Sequence, residues 1–115
     1  GRCKGCTVEA VDLSEKGLTA IDFSNAVIRN VDFSSAELSL AIFDYATLEN
    51  VTFDSADLNG ASFRRAQMKN VSFLNTELKA AVFEDAVLEG TDLQEGLICN
   101  TQMPNETMNN SDCDR

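Results

Sequence analysis

The segments Ile28–Phe33 (IRNVDF), Leu48–Phe53 (LENVTF) and Met68–Phe73 (MKNVSF) are three versions of one sequence, and they recur at a constant interval of twenty positions. Weaker copies flank them at residues 8–13 (VEAVDL) and 88–93 (LEGTDL). Repetition at a fixed period indicates a chain built from stacked, equivalent units. This long period therefore decides the fold.

A shorter period of five residues lies inside the longer one. From residue 8 to residue 108 every fifth residue is large and apolar, and phenylalanine takes every second of these positions from Phe23 to Phe83. A second apolar position, most often alanine or valine, lies two residues before each centre. Two charged residues fall on these two positions, Lys16 inside the repeat and Glu106 beyond its end. We expect the two apolar positions to point inward and the other three to point to solvent.

A period of five matches neither an α-helix, with 3.6 residues per turn, nor a strand, with a period of two. It matches a chain that turns a corner every five residues, so that one long repeat makes one four-sided coil. At a strand spacing of about 4.8 Å, roughly five coils form a rod about 24 Å long. The core should then be four columns of stacked side chains: Leu13/Phe33/Phe53/Phe73/Leu93, Phe23/Phe43/Phe63/Phe83/Met103, Val8/Ile28/Leu48/Met68/Leu88 and Leu18/Leu38/Leu58/Leu78/Ile98.

The composition limits the classes of function. The chain has 115 residues, no histidine, and 19 acidic against 9 basic residues, for a net charge of -10. This charge argues against direct binding to nucleic acid or anionic lipid, and no apolar run approaches the roughly 20 residues of a membrane span. Without histidine the chain lacks the commonest general base and metal ligand. We predict a non-catalytic protein with no cofactor and no metal site.

The pentapeptides Ala36-Glu-Leu-Ser-Leu, Ala56-Asp-Leu-Asn-Gly and Ala86-Val-Leu-Glu-Gly resemble the repeat of the pentapeptide-repeat family. The resemblance covers about residues 6 to 103. It implies an all-β fold, the right-handed quadrilateral parallel β-helix, and it alone supplies the handedness. The opening Cys-Lys-Gly-Cys and the ending ICNTQMPNETMNNSDC further resemble small cyanobacterial members and their thylakoid-lumen relatives in plants.

Two outward surfaces are candidates for binding an unidentified protein partner. The first is a column of like charges, Glu37, Asp57 and Glu77. Like charges stacked at strand spacing repel one another. The column therefore either keeps the rod soluble or faces a basic partner or a weakly bound cation. Its spacing is not that of a calcium loop. The second combines exposed apolar residues with arginines, which is typical of contact patches although scattered apolar residues are also normal: Ile42, Tyr45, Arg64, Arg65 and Val82.

Two other outward columns are predicted to stabilise the stack. One alternates in charge, which favours attraction between neighbouring coils: Glu9, Arg29, Glu49, Lys69 and Glu89. The other places asparagine at a corner, where this residue tolerates turn geometry and its amide can bond along the stack: Asn30, Asn50 and Asn70.

The four cysteines form two pairs at opposite ends of the chain. Cys3 and Cys6 fall on inward positions, so they are buried thiols or a small disulfide rather than a redox motif. Cys99 should pair with Cys113, because a bond from either to the other pair would have to span about 20 Å against a Cα–Cα reach of about 4.4–6.8 Å. Such a disulfide implies an oxidising compartment. We expect the periplasm or thylakoid lumen, with the cytoplasm as the alternative.

The predicted organisation has three parts: an N-terminal segment (1–7), the solenoid (8–98) and a tail (99–115) that caps the last coil. Lys16, at an inward position of the first coil, should deter further stacking. We therefore expect a monomer that associates at most weakly end to end.

These observations predict a rigid β-solenoid that serves as a protein-interaction or structural module. The family resemblance implies an alternative, because some members resemble duplex DNA in size and charge and bind topoisomerase. Five coils would span only about seven base pairs, at about 3.4 Å each.

Overall fold

One wall of the molecule is a parallel sheet of five short strands. The computed structural model describes residues 1–114. The strands stack in chain order: β1 (Thr7–Glu9), β2 (Val27–Arg29), β3 (Thr47–Thr52), β4 (Gln67–Ser72) and β5 (Val87–Glu89). Each strand pairs with the next at an offset of one full repeat, as in the pairing of Val8 with Ile28. Four complete turns of the chain thus lead from β1 to β5, and the predicted parallel β-solenoid is confirmed.

Single parallel bridges at the same offset hold the other three walls together. They connect Asp12–Asp32–Thr52 on one wall, Glu37–Asp57–Glu77 on the next, and Ile42–Ser62–Val82 on the third. Bridges run from the Arg2–Asp22 pair at one end to the Val82–Gln102 pair at the other, so pairing between coils reaches beyond residues 8–98 at both ends.

The corners of the coil lie at every fifth residue. From Gly5 to Gly90, each residue whose number is a multiple of five has φ between 54° and 74°, in the left-handed region that glycine and asparagine tolerate best. In the predicted asparagine column, Asn50 Nδ2 donates to Asn30 Oδ1 at 3.3 Å and Asn70 Nδ2 donates to Asn50 Oδ1 at 3.4 Å. The prediction of amides bonded along the stack is confirmed.

Aspartates one residue before a core position support these corners. Asp32 Oδ1 accepts a hydrogen bond of 2.8 Å from the backbone N–H of Ser34. The same contact to the residue two positions on is made by Asp12, Asp22, Asp57 and Asp92. Such local bonds favour a turn over continued extended chain, which explains why the chain bends after each of these aspartates.

The centre of the rod is filled by two facing columns of phenylalanine. In one column the ring centroids of Phe53 lie 5.2 Å from Phe33 and 5.4 Å from Phe73. In the other, Phe63 lies 4.7 Å from Phe43 and 4.8 Å from Phe83. The columns meet edge to face, a favourable arrangement for aromatic rings, as in the 5.6 Å contact of Phe43 with Phe53. All six rings are buried, and the predicted phenylalanine columns are confirmed.

The last coil departs from the repeat. A short 3₁₀ helix (Leu93–Glu95) begins after Asp92 and ends at Gly96, whose N–H donates to the Leu93 carbonyl at 3.0 Å. Beyond it, β6 (Thr101–Gln102) pairs with β7 (Met108–Asn109) in antiparallel fashion, which returns the tail over the end of the rod. Within residues 1–114 there is no helix long and apolar enough to span a membrane.

Candidate interaction surface

The acidic column lies on one wall, which we call the acidic wall. Parallel bridges place Asp57 between Glu37 and Glu77, with the two glutamates exposed and the aspartate half-buried. Asn59 relieves the repulsion on one side: its backbone N–H donates to Asp57 Oδ1 at 2.9 Å, and its side-chain Nδ2 donates to Glu77 Oε1 at 3.2 Å. Glu37 and Asp57 have no such amide between them among residues 1–114.

The predicted apolar positions lie on the neighbouring wall, which we call the mixed wall. Ile42 and Val82 occupy one column, separated by Ser62, and both are half-buried. The Ser62 hydroxyl donates to the carboxylate of Asp44, which also accepts the backbone N–H of Arg64 at 2.9 Å. The structure therefore brings Ile42 and Val82 to one face, but with a polar residue between them.

Tyr45 and the two arginines mark the far edge of the mixed wall. Tyr45 is 58% exposed, and it occupies the same corner column as Arg65 and Asp85. Arg65 Nε lies 3.8 Å from Asp85 Oδ2, and Arg64 Nε lies 3.3 Å from Glu84 Oε1. Both arginines are thus paired with acids on the next coil. Exposed pairs of this kind contribute little to stability.

Leu40 is a functional candidate that the sequence-based prediction missed. It lies at the corner between the acidic and the mixed wall, with φ of 62° and 60% of its surface exposed. Its side chain leans over Gly60 of the next coil, where an added Cβ would lie 2.7 Å from Leu40 Cδ2. A signal was present, because Leu40 and Tyr45 place large side chains at two consecutive corners, where asparagine, serine, alanine or glycine is usual.

The two candidate surfaces therefore form one. Within a single coil the chain passes from Glu37 over the Leu40 corner to Ile42 and on to Tyr45. We call the result the two-wall surface, and it comprises the acidic column, the Leu40 corner and the mixed wall: Glu37, Asp57, Glu77, Leu40, Ile42, Val82, Tyr45, Arg64 and Arg65.

A carboxylate cluster lies at the end of the mixed wall. Carboxylate oxygens of Glu84, Asp85 and Glu106 lie within 4.8 Å of one another. A hydrogen bond to Glu84 and the negative charges of Glu84 and Asp85 raise the pKa of Glu106 above its ordinary value. Residue 106 belongs to the tail, whose path the repeat does not predict, so no sequence pattern indicated this contact.

The wall formed by strands β1 to β5, which we call the strand wall, carries the column of alternating charge. The register places Glu9, Arg29, Glu49, Lys69 and Glu89 on successive strands. Among residues 1–114, Lys69 and Glu89 are the members of this column that come within ion-pair distance, at 3.6 Å. The other members are aligned but not paired.

Each end of the rod carries a disulfide. Cys3 is bonded to Cys6, so these two residues form a disulfide rather than buried thiols. Cys99 is bonded to Cys113, with a Cα–Cα distance of 4.7 Å. Ile98 and Asp112 reinforce the second bond, because the Asp112 N–H donates to the Ile98 carbonyl at 2.8 Å. The tail is thereby held over the last coil.

Comparison with known proteins identifies the repeat. A sequence model described as the pentapeptide repeat region matches residues 28–103. No curated protein matches the sequence with significance.

Solved structures give the same architecture. A pentapeptide repeat protein from the Arabidopsis thaliana thylakoid lumen is 25% identical, with 89% of this chain and 71% of that chain aligned at a TM-score of 0.82. Rfr23, a pentapeptide repeat protein from the cyanobacterium Cyanothece 51142, is 20% identical, with 90% of this chain and 88% of that chain aligned at a TM-score of 0.70. The second likeness concerns the fold alone.

Proposed function

Since the chain belongs to the pentapeptide-repeat family, whose solenoids are right-handed β-helices, we propose that it is a non-catalytic interaction module that binds a basic protein through the two-wall surface. One observation carries the proposal. Leu40 and Tyr45 are 60% and 58% exposed at consecutive corners, and Leu40 lies directly beside the acidic column. Large exposed apolar side chains rimmed by charge are typical of protein contact sites.

The chemistry of the surface defines the partner. Glu37, Asp57 and Glu77 match a row of lysines or arginines, which would remove the like-charge repulsion along the column. Leu40 and Tyr45 supply the apolar contact that a purely electrostatic surface lacks, and tyrosine is enriched at energetically important interface positions. Because the coil is held by hydrogen bonds on every wall, the surface is preorganised and loses little conformational freedom on binding.

The proposal is tested by photocrosslinking in extract from the source organism. A benzophenone amino acid replaces Tyr45 in one variant and Leu74, which is 50% exposed on the wall opposite the mixed wall, in the matched control. We expect a discrete adduct with a basic protein from position 45 only, and its loss when Glu37, Asp57 and Glu77 are all changed to glutamine. Equal adducts from both positions, or an adduct that survives the triple change, would overturn the proposal.

We place this function in the periplasm or the thylakoid lumen, with the cytoplasm as the alternative. Two disulfides support an oxidising compartment, and the thylakoid-lumen protein is a structural relative. Thiol labelling of the protein in fractionated cells, before and after reduction, tests the assignment. Unlabelled cysteines before reduction support it, whereas immediate labelling of all four indicates the cytoplasm.

The second candidate is a DNA-mimicking protein that binds a topoisomerase. The net charge of -10 favours it, and the longest dimension of 35 Å corresponds to about ten base pairs at about 3.4 Å each. A supercoiling assay with and without the protein separates the two functions. Inhibition that disappears when Glu37, Asp57 and Glu77 become glutamine would favour the mimic, and unchanged supercoiling would leave the interaction module.

A further inference from the structure

The strand wall carries two columns of outward side chains between β2 and β5. In each strand the middle residue, such as Leu48 or Met68, points into the core, and its two neighbours point outward. One outward column is uncharged (Val27, Thr47, Gln67 and Val87), and the other alternates in charge (Arg29, Glu49, Lys69 and Glu89). These four coils of the wall are therefore neutral, although the whole protein has a net charge of -10.

A shallow depression crosses the middle of the strand wall. It has a volume of about 190 Å³, and Glu49, Lys69 and Val87 contribute to its lining. Val87 is 61% exposed, which makes it a large apolar side chain on an otherwise polar surface. Among residues 1–114, Arg29 and Glu49 take part in no salt bridge. The wall thus combines exposed apolar surface with charges that have no partner within one copy.

The alternating column is complementary to a reversed copy of itself. A two-fold axis that lies between two facing strand walls, parallel to the strands, sets each column against its own counterpart with the order of the coils reversed. An axis midway between β3 and β4 places Arg29 opposite Glu89 of the second copy and Glu49 opposite Lys69. All four charges then face an opposite charge. An axis along β3 itself would instead set Glu49 against Glu49 and Arg29 against Lys69.

The uncharged column fits the same axis. It brings Val27 opposite Val87 of the second copy and Thr47 opposite Gln67, so that an apolar pair and a pair of hydrogen-bonding side chains meet. An axis midway between β2 and β3 would also bring opposite charges together, but it sets the apolar Val27 against Thr47. The two columns together therefore select the axis between β3 and β4.

We propose that the strand wall is a homodimer interface, on which two copies of the protein pack face to face about this two-fold axis. The same surface is used by both copies, so the contact closes as a dimer. The strands of the two sheets are aligned, as is usual when sheets pack face to face. The complementary charges fix the register of the two rods, and Val27 and Val87 supply the apolar contact.

The size of the wall limits the strength of the contact. Four coils at a spacing of about 4.8 Å and a molecule with shorter dimensions of 26 and 24 Å allow a contact of roughly 500 Å² per copy, against about 800 Å² in a standard interface. The dimer is therefore weak and reversible. Because its charges lie at a partly exposed surface, it should weaken further as the salt concentration rises.

The dimer leaves the acidic wall free. In each coil the strand wall and the acidic wall lie on opposite sides, with one wall between them in either direction. Packing two strand walls together therefore turns the two acidic columns toward opposite outer faces. Such a dimer can bind two basic partners at once, but its own formation needs neither of them.

Sedimentation equilibrium of the wild type and two charge variants tests the interface. Lys69→Glu sets Glu49 against a new acid of the second copy, and Glu49→Lys sets Lys69 against a new base. We expect each variant alone to dimerise at least about tenfold more weakly than the wild type. An equimolar mixture of the two should recover the wild-type affinity, because every charge in the heterodimer again faces an opposite one. With the axis between β2 and β3, mixing would leave like charges in contact and recover nothing.

The matched control is Lys79→Glu, the same charge change on an exposed side chain of the acidic wall. This variant should dimerise like the wild type, because the acidic wall lies outside the contact. An equal loss of dimer in Lys79→Glu and Lys69→Glu would mean that net charge, rather than the strand wall, controls the association.

Isotope-filtered NMR of the wild type gives a second measurement that does not depend on any variant. In a mixture of labelled and unlabelled protein, we expect a nuclear Overhauser effect between the methyl groups of Val27 and Val87. Within one copy these residues lie three coils apart, or about 14 Å at the strand spacing, which is too far for this effect. A monomer at every concentration, charge variants that recover nothing on mixing, or a dimer with Val27 against Thr47 would each overturn the proposal.

Discussion

The side-chain hydroxyl of Thr76 donates a hydrogen bond of 2.7 Å to the backbone carbonyl of Phe53 in the preceding coil. Thr76 is fully buried at a position where the two coils before it have Ala36 and Ala56. Thr101 repeats the arrangement one coil and one wall further along the chain, with its hydroxyl donating to the Leu78 carbonyl at 2.6 Å. A buried hydroxyl is tolerated in this core because the carbonyl of the coil before supplies an acceptor within reach.

Thr76→Val should destabilise the protein by about 1 kcal/mol, because it removes the hydrogen bond while keeping the volume of the side chain. The loss stays small because the Phe53 carbonyl still accepts a hydrogen bond from the Ala56 N–H at 2.9 Å. Urea unfolding monitored by circular dichroism measures it. A loss above about 3 kcal/mol would contradict this account, because it exceeds what the single hydrogen bond from the hydroxyl contributes.

Phe53→Ala should cost about 3–5 kcal/mol, since it opens a cavity in the middle of a stacked column where the rings cannot collapse. Glu49→Ala, four residues away on the surface, is the control and should change the free energy of unfolding by less than about 0.5 kcal/mol. The midpoints of chemical denaturation compare the two. Similar losses would contradict the central place of the ring in the core.

Replacing Cys99 and Cys113 together by serine should destabilise the tail by about 3 kcal/mol in the chain-entropy model, because the bond closes a loop of about 15 residues. The same double change at Cys3 and Cys6 should cost about 2 kcal/mol, since that loop is only about four residues long. Thermal unfolding measures both. Mass spectrometry of non-reduced peptides checks the pairing, and free thiols at Cys99 and Cys113 in protein from its native compartment would contradict it.

Asp57→Asn should stabilise the rod by at most about 1 kcal/mol at neutral pH and low salt, because it removes a charge that faces Glu37 and Glu77. The amide oxygen of asparagine can still accept the Asn59 N–H. The gain should shrink at high salt, where the repulsion is screened. Asp54→Asn is the control. Asp54 accepts hydrogen bonds from the Ser72 hydroxyl and from the Leu74 N–H, so its replacement should not stabilise the protein. Destabilisation by Asp57→Asn at low salt would indicate that the column binds a positive group.

The contact of Glu106 with the mixed wall should depend on pH. Its pKa is raised by the hydrogen bond to Glu84 and by the charges of Glu84 and Asp85, so the folded protein holds this proton more tightly than the unfolded chain. The stability that this contact contributes is therefore fully present below the ordinary glutamate pKa and is lost as the pH rises through the folded pKa, where the carboxyl ionises against its neighbours. Carbon-13 NMR titration of the Glu106 carboxyl measures this pKa. Glu84→Gln should lower it, and an unchanged value would contradict the assigned cause.

The coil, its core columns and the members of each wall could all be predicted from the order of the amino acids. The reason is that one long repeat equals one turn, so residues such as Asn30 and Asn50 must stack whatever the details of packing. The acidic column and both halves of the two-wall surface follow from the same periodicity. Contacts that depend on the length and direction of single side chains became visible only in three dimensions, as where Leu40 leans over Gly60 or Asn59 reaches Glu77.

The contacts at the two ends of the rod, where the sequence does not repeat, also became visible only in the folded structure. Nothing in the period places Glu106 beside Glu84, or chooses a disulfide rather than buried thiols for Cys3 and Cys6, because no neighbouring coil repeats these residues. The free energy of the tail comes from individual bonds to the last coil, such as that from Asp112 to Ile98. The sequence repeat fixes the positions of the residues inside the stack of coils. The residues at the two ends of the stack are placed instead by the particular side chains that they contact.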